Sequence, residues 1–289
     1  MERHAVLVGL VGTNLQFSMA PQIHMTEGDR NGLRYIYRLI DLADARFSTA
    51  SLPDLVNAAP RLGFNGLAVT HPFKEAIIPL LTDLSPDARL LGAVNTVVFA
   101  KGLSIGHNTD WSGYAAAFRV QTAGWETDRV ALLGVGGAGR AVAHALLSCG
   151  VRHLTLVVRN PDRVARVAQD LRLRHGADRI SIAESLEQGV SMANGLVNGT
   201  PIGMKAHPGN PVPLDLLRPD LWVSDLIYNP DETELLKAAR LVGAKTLNGM
   251  GMLIFQAAQQ FELFTGISPD IQRMQEHVSQ LLRTRQSHS

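Results

Sequence analysis

Short apolar runs, each closed by glycine or small polar residues, alternate along this chain with longer segments whose apolar residues recur at helical spacing. Ala5 to Val11, bounded by Gly12, Thr13 and Asn14, predicts a buried strand ending in a loop. That loop, GTNLQFSMAP, leads through Pro21 into a helix, with Ser18 near its N-terminal end. LRYIYRLIDL predicts a second strand, SLPDLVNAAPRLG a helix, and GLAVT a third strand that His71-Pro72 stops. Lys74 is then expected to open an amphipathic helix and to stand at a strand's carboxyl end, where ligands collect in α/β sheets. Two apolar segments around Lys101-Gly102 predict a hairpin. Asn95 and Thr96 interrupt the first of them, and Asn108, Thr109 and Asp110 end the second, ahead of a helix from about Trp111. Position alone leaves Asp110 either a helix N-cap or a catalytic carboxylate, and Ser18 either a turn cap or an anion contact.

The pattern is densest from Val130 to Asn160, where the strand VALL turns through Gly134, Gly136, Gly137 and Gly139, with Ala138 among them, into an alanine-rich helix. After Gly150 comes a second strand, LTLVV. Such a βαβ unit lets backbone N–H groups and the helix dipole face a pyrophosphate, which predicts dinucleotide binding. The acid that accepts the ribose hydroxyls of NAD is expected to close the second strand, yet the residues there are Val158, Arg159, Asn160, Pro161, Asp162 and Arg163. Guanidinium groups fit a 2'-phosphate, so Arg159 and Arg163, with Asn160 between them, favour NADP over NAD, although both arginines also suit a solvated first helical turn.

Strands and helices continue to alternate to about Thr246, the signature of a doubly wound, Rossmann-type domain. LIFQAAQQFELFTG, amphipathic and without a partner strand, is expected to pack back on the first domain. The expectation is a two-domain α/β protein, with a discontinuous α/β substrate-binding domain of residues 1–110 plus 250–289 and an NADP-binding domain of residues 111–249.

Composition narrows the function without changing the fold. A formal net charge of +1 offers no electrostatic attraction for nucleic acid or anionic membrane, and 46% hydrophobic with 18% charged residues is an ordinary globular balance. The one cysteine, Cys149, rules out a disulfide or cysteine metal cluster within one chain and is expected to pack in the core. The N-terminal apolar run is too short and too glycine-broken for a membrane span, so a cytoplasmic protein is expected. No metal is expected from the histidine spacing, and Trp111, Trp125 and Trp222 read as packing anchors. A small-molecule substrate fits best; monomer and homodimer remain open. His24 and His71 are possible linings of a substrate cleft.

Eight motifs in order resemble the shikimate/quinate dehydrogenase family: the Ser18 loop, VTHPFK, GAVNT, HNTDWSGY, GVGGAGRA, NGTPIGM, DLIYNPDET and GMGMLIFQA. The resemblance implies an oxidoreductase that interconverts an alicyclic hydroxy acid and its ketone with a nicotinamide cofactor, NADP or NAD. By that similarity Lys74 and Asp110 are the catalytic pair, and Ser18, Thr70, Asn95, Tyr228 and Gln256 hold substrate. The cofactor falls to Gly134, Gly136, Gly137, Ala138, Gly139, Arg159, Asn160, Arg163, Thr200 and Gly251. Removing the hydroxyl proton needs a positioned base, and a free lysine, with a pKa of about 10.4, is protonated at neutral pH, so lysine and carboxylate act as a pair.

The sequence departs from the family pattern at Ala20, where a second hydroxyl is expected, and at Ala68, where an asparagine is expected. Each removes a hydrogen bond, the first to the substrate carboxylate and the second to the loop of Lys74. Ala20 leaves room for the extra hydroxyl of quinate but no partner for it, which tilts the reading to shikimate. Aromatic amino acid biosynthesis, quinate catabolism and a side pathway with an amino analogue remain open. The alternatives are an NAD-preferring quinate/shikimate dehydrogenase, a related dehydrogenase such as one acting on a folate one-carbon adduct, and an NADP-sensing protein.

Overall fold

Strand β1 (Ala5–Gly12) shows how the first half of the chain is built. Its side chains alternate between two apolar clusters, Val6, Val8 and Leu10 entering one and Val11 the other, so both faces of its sheet are covered. The protein is described here by a computed structural model covering residues 5–44, 51–157 and 161–286, the side chains at 51, 161–163 and 284–286 excepted. Two units emerge, Met1–Thr109 with Ile254–Ser289, and Asp110–Leu253.

In the first unit β1 lies between β2 (Arg34–Asp41) and β3 (Gly66–Val69), parallel to both. Helix α1 (Ala20–Arg30) connects β1 to β2 and α2 (Ser51–Ala58) precedes β3. Beyond β3 come β4 (Asp83–Leu84), α3 (Pro86–Leu91), β5 (Thr96–Ala100) and β6 (Leu103–His107), giving the order β2-β1-β3-β5-β6-β4. The sheet is mixed: β5 runs antiparallel to β3, and the turn at Lys101 (φ 51°) and Gly102 (φ 77°) reverses the chain so that β6 runs antiparallel to β5.

The helix expected from Lys74 does not form. Residues 71–77 are turns, followed by a short 3-10 helix at Ile78–Leu80. Pro79 explains the difference, since it lacks the N–H that an α-helix would direct to Glu75 and its ring would strike that carbonyl. Lys74 therefore stands on a turn rather than at a helix start.

The second unit begins with α4 (Asp110–Gln121), one residue earlier than expected, so that Asp110 sits in the first helical turn itself. Strands β7 (Arg129–Leu133), β8 (His153–Val157) and β9 (Ile180–Ala183) alternate with α5 (Gly137–Ser148), α6 (Pro161–His175) and α7 (Leu186–Ser191). They are followed by β10 (Gly195–Asn198), β11 (Trp222–Asp225), α8 (Glu234–Leu241) and β12 (Thr246–Leu247). The segment DLWVSDLIYNP reads as a strand up to Asn229-Pro230, but β11 closes at Asp225, four residues before Asn229.

All pairings are parallel and the order is β12-β11-β10-β7-β8-β9, so the winding reverses between β7 and β10. Val130 and Leu132 face the cluster under α4, α5 and α6, while Ala131 and Leu133 face the one under α7 and α8. This two-sided burial is why the strands read as continuous apolar runs. Trp222 is buried in the first of these clusters, with Trp111, Trp125 and Cys149 packed against it. Burial holds the Cys149 thiol above its ordinary pKa.

The chain ends in α9 (Met250–Thr265) and α10 (Ile271–Gln286). Phe261 and Phe264 of α9 enter the cluster of Val6, Val8 and Leu10, which ties this C-terminal segment to the first unit. Glu27, buried on α1, accepts hydrogen bonds from the Arg273 guanidinium of α10. Among the described residues no helix is long and apolar enough to cross a membrane.

Candidate active site

The polar residues that close the apolar runs of the first unit gather at one edge of its sheet. Parallel pairing brings the carboxyl ends of β1 and β3 level, and the reversal at Lys101-Gly102 brings the start of β5 and the end of β6 to the same edge. Thr70 donates its N–H to the Val11 carbonyl (2.9 Å), and Gly12 permits the approach, since a Cβ there would lie 2.3 Å from the Thr70 methyl. Lys74 accepts the Val94 N–H (2.8 Å), which seats its turn one residue from Asn95.

Asn95 is the centre of this edge and is 2% exposed. Its Oδ1 accepts the Thr109 N–H (2.7 Å) and the Thr96 hydroxyl (2.9 Å), while its Nδ2 donates to Thr109 Oγ1 (3.0 Å) and to Gln256 Oε1 (3.4 Å). Residues far apart in sequence, Asn95, Thr109 and Gln256, are thereby joined through one amide. Ser18 follows the 3-10 turn Leu15–Phe17, is half-buried, and accepts the Ala20 N–H (3.3 Å), so it fills its turn-capping role. The loop before it hangs on Asp41, whose carboxylate accepts the N–H groups of Asn14 (3.1 Å) and Leu15 (2.8 Å). Asp41 belongs to none of the sequence motifs.

Ala20 packs against the apolar cluster that contains Ala68. His24, a possible cleft lining, is instead sealed in that region beside Tyr35, Tyr37, Phe261 and Phe264. His71 is exposed.

In the second unit the glycine turn occupies the reversal point between β7 and β10. Gly134 (φ 82°) accepts a conformation L side chains rarely adopt, and a Cβ on Gly139 would lie 2.2 Å from the Gly134 oxygen. Gly136 caps α5 without any side-chain hydrogen bond, and a Cβ there would meet nothing within 4 Å. The first turn of α5, formed by Gly137, Ala138 and Gly139, thus offers backbone N–H groups beside open space, which fits a dinucleotide pyrophosphate. Thr200 lies against the turn, its methyl 2.8 Å from a Cβ built on Gly134. Gly251 has a packing reason as well, because a Cβ there would come within 2.9 Å of Ala117 and 3.0 Å of the Gln121 amide. Arg159 and Asn160 lie outside the described residues, as does the Arg163 side chain.

A buried carboxylate holds these loops. Asp225, closing β11, accepts from the Thr233 hydroxyl (2.7 Å), the Ile227 N–H (3.1 Å) and Asn198 Nδ2 (3.1 Å). Asn198 in turn accepts the N–H (3.0 Å) and hydroxyl (2.7 Å) of Thr200. The loops carrying Thr200 and Tyr228 are therefore pinned to one group. Burial raises the Asp225 carboxyl above its ordinary pKa, and the three hydrogen bonds oppose that rise. The sequence signal was available in an aspartate ending an apolar strand, but its partners were not.

The chain matches the family described as the shikimate dehydrogenase substrate binding domain over residues 10–97, and the shikimate 5'-dehydrogenase C-terminal domain over residues 249–278. A shikimate dehydrogenase (NADP(+)) of Streptomyces avermitilis is 46% identical over 98% of both chains. A quinate/shikimate dehydrogenase (NAD(+)) of Corynebacterium glutamicum is 43% identical over 94% of this chain and 97% of its own. The structure of quinate dehydrogenase from Corynebacterium glutamicum in complex with NAD superposes with a TM-score of 0.90 at 42% identity, covering 96% of this chain and 100% of that one. With such identity over nearly its whole length, and with the two-unit α/β architecture already described, this chain belongs to the shikimate/quinate dehydrogenases, a family of NAD(P)-dependent oxidoreductases.

Proposed function

We propose that this chain interconverts shikimate and 3-dehydroshikimate with NADP. The observation that carries the reading is the Asn95 amide, buried at the edge where Thr70 and the Lys74 turn meet and joined to Gln256. A neutral, hydrogen-bonding floor of this kind suits a small polyhydroxy ring better than an apolar ligand. Ser18, Thr70, Asn95, Gln256 and Tyr228 hold the carboxylate and ring hydroxyls. Lys74 takes the proton of the reacting hydroxyl in the oxidative direction and returns it in the reductive one, while Asp110 orients Lys74 and that hydroxyl. The glycine turn from Gly134 to Gly139 holds the cofactor pyrophosphate, with Thr200 and Gly251 beside it. When bound, the cofactor supplies the hydride acceptor or donor. Arg159, Asn160 and Arg163 are the residues assigned to the 2'-phosphate. The protein acts in the cytoplasm on a free small molecule, as monomer or homodimer.

A second reading, quinate with NAD, draws on the NAD(+) relatives at 43% and 41% identity. The apolar setting of Ala20 speaks for shikimate, because it offers the extra quinate hydroxyl no partner.

Initial rates in a grid of shikimate or quinate against NADP or NAD test both. Turnover concentrated on shikimate and NADP is expected; a preference for NAD would refute the arginine assignment, and no turnover on either acid with NADP still bound would refute the substrate. In the same assay Lys74→Ala is expected to lower kcat by about 10²–10⁴-fold with a smaller change in KM. Turnover within a few-fold of wild type would end the role given to Lys74.

A further inference from the structure

Gln260 is a buried amide to which no step of the proposed reaction assigns a role. It is 4% exposed and lies on α9 one turn beyond Gln256, so the two amides share a helix face. Its Nε2 donates to the Asn95 carbonyl (3.2 Å) and to Thr96 Oγ1 (3.0 Å). The Thr96 hydroxyl passes the contact on, donating to Asn95 Oδ1 (2.9 Å). Gln260 therefore grips Asn95 twice, directly at its main chain and through Thr96 at its side-chain oxygen.

The consequence is an oriented amide. With Oδ1 committed to the Thr96 hydroxyl and the Thr109 N–H, Asn95 can point only its Nδ2 towards Thr109 Oγ1 and Gln256. A flipped Asn95 would place N–H against N–H at Thr109. On its other side Gln260 adjoins His24, which burial holds neutral with a pKa of about 3 while the Gln260 side chain pulls the other way. The neighbours of Gln260 on α9, Ala257, Phe261 and Phe264, are apolar and buried, and a methionine would pack among them without the desolvation cost of an amide.

We infer that Gln260 is a positioning residue that sets the orientation of Asn95 and thereby the affinity for the polar groups of the substrate, without touching substrate itself. The inference rests on the substrate role proposed for Asn95, and the test keeps the two apart.

The full-length enzyme would be compared as wild type, Gln260→Met, Gln260→Glu and Asn95→Ala, with KM for shikimate and NADP, kcat and Tm measured from pH 6 to 9. Gln260→Met is expected to raise the shikimate KM by about tenfold, leaving the NADP KM unchanged and kcat within about threefold. Gln260→Glu keeps the shape but, when ionised, has no proton to give the Asn95 carbonyl. Its KM defect is expected to shrink as pH falls and the buried acid regains a donor proton, a trend the wild type does not follow. A purely structural residue would lower Tm and leave the KM ratio alone, and that result would overturn the inference. So would a shikimate KM within twofold of wild type in both Gln260 variants while Asn95→Ala raises it. If Asn95→Ala leaves the shikimate KM unchanged, the role of Asn95 fails and Gln260 falls with it. Should Gln260→Met not fold, the pH trend of Gln260→Glu decides.

Discussion

Replacing Gly136 by alanine separates folding from cofactor binding. Its φ of −67° and ψ of −168° suit any residue, and a Cβ there meets no atom within 4 Å. Alanine fits without native strain, and the reduced freedom of the unfolded chain, about 0.4–1 kcal/mol, is offset by alanine's poorer fit to a helix N-cap, so Tm is expected to stay within about 2 °C of wild type. The same methyl occupies the space before the first turn of α5, where a pyrophosphate would meet backbone N–H groups. One hydrogen bond to a charged group is worth about 1.5–3 kcal/mol, so the Kd for NADP is expected to rise roughly 10- to 150-fold. Calorimetric titration with NADP, beside a thermal melt without it, reads both quantities. Gly139→Ala supplies the contrast, because its Cβ would lie 2.2 Å from the Gly134 oxygen and the backbone itself must move. That variant is expected to lose Tm with or without cofactor. An unchanged Kd in Gly136→Ala, with Tm retained, would refute the placement of the cofactor on this turn.

Two further predictions concern buried titratable groups. Because the folded pKa of Asp225 is raised above 3.8, the native state keeps a proton that the unfolded chain has lost, so stability falls as pH rises through that window and levels off above it. Asp225→Asn, whose Oδ1 still accepts from Ile227 and Asn198 and whose Nδ2 can meet Thr233, is expected to flatten this trend in urea unfolding between pH 4 and 8, whereas Asp225→Ala, stranding three donors, is expected to cost on the order of 3 kcal/mol. An equally steep trend in Asp225→Asn would clear the carboxyl of responsibility. His24 acts in the opposite sense: with its folded pKa lowered from 6.5 to about 3, stability is expected to fall as pH drops below 6.5, by up to about 1.4 kcal/mol per pH unit. Removing this contribution with His24→Gln should leave a shallower acid limb, and an unaltered limb would contradict it.

What could be read from the chain alone was what local chemistry determines. The reversal at Lys101-Gly102, the two-sided strands around β7 and the Gly134 to Gly139 turn each follow from residues within a few positions of one another. The Lys74 helix was misread because apolar spacing outweighed Pro79, which sits at the one place where it forbids the bond from residue 79 to residue 75. The hydrogen-bonded centres were beyond reach for a different reason. Asn95 meets Thr109 at a separation of 14 residues, Asn198 meets Asp225 at 27, and Gln260 meets Thr96 at 164. A lone polar residue at the end of an apolar run announces a loop, and only tertiary pairing says which amide or carboxylate will hold it.

That long-range pairing also reinterprets Ala68. The family pattern the sequence resembles has an amide at this position, and its absence suggested a slackened catalytic loop. In the structure Ala68 pairs directly with Thr96 across β3 and β5, and directly opposed residues project to the same face of a sheet. On that face Ala68 shares an apolar cluster with Phe261 and Phe264 of α9, the helix from which Gln260 reaches Thr96 and the Asn95 carbonyl. An amide thus serves this strand pair after all, supplied by the helix above it rather than by the strand. The loop is further tied through main-chain bonds that need no side chain at position 68, from Val69 N–H to the Asn95 carbonyl (2.8 Å) and from Val94 N–H to the Lys74 carbonyl (2.8 Å). Alanine at 68 therefore leaves the main-chain ties of this loop in place. The amide that reaches this strand pair stands on α9, where its loss can be tested without disturbing the strand that leads to Lys74.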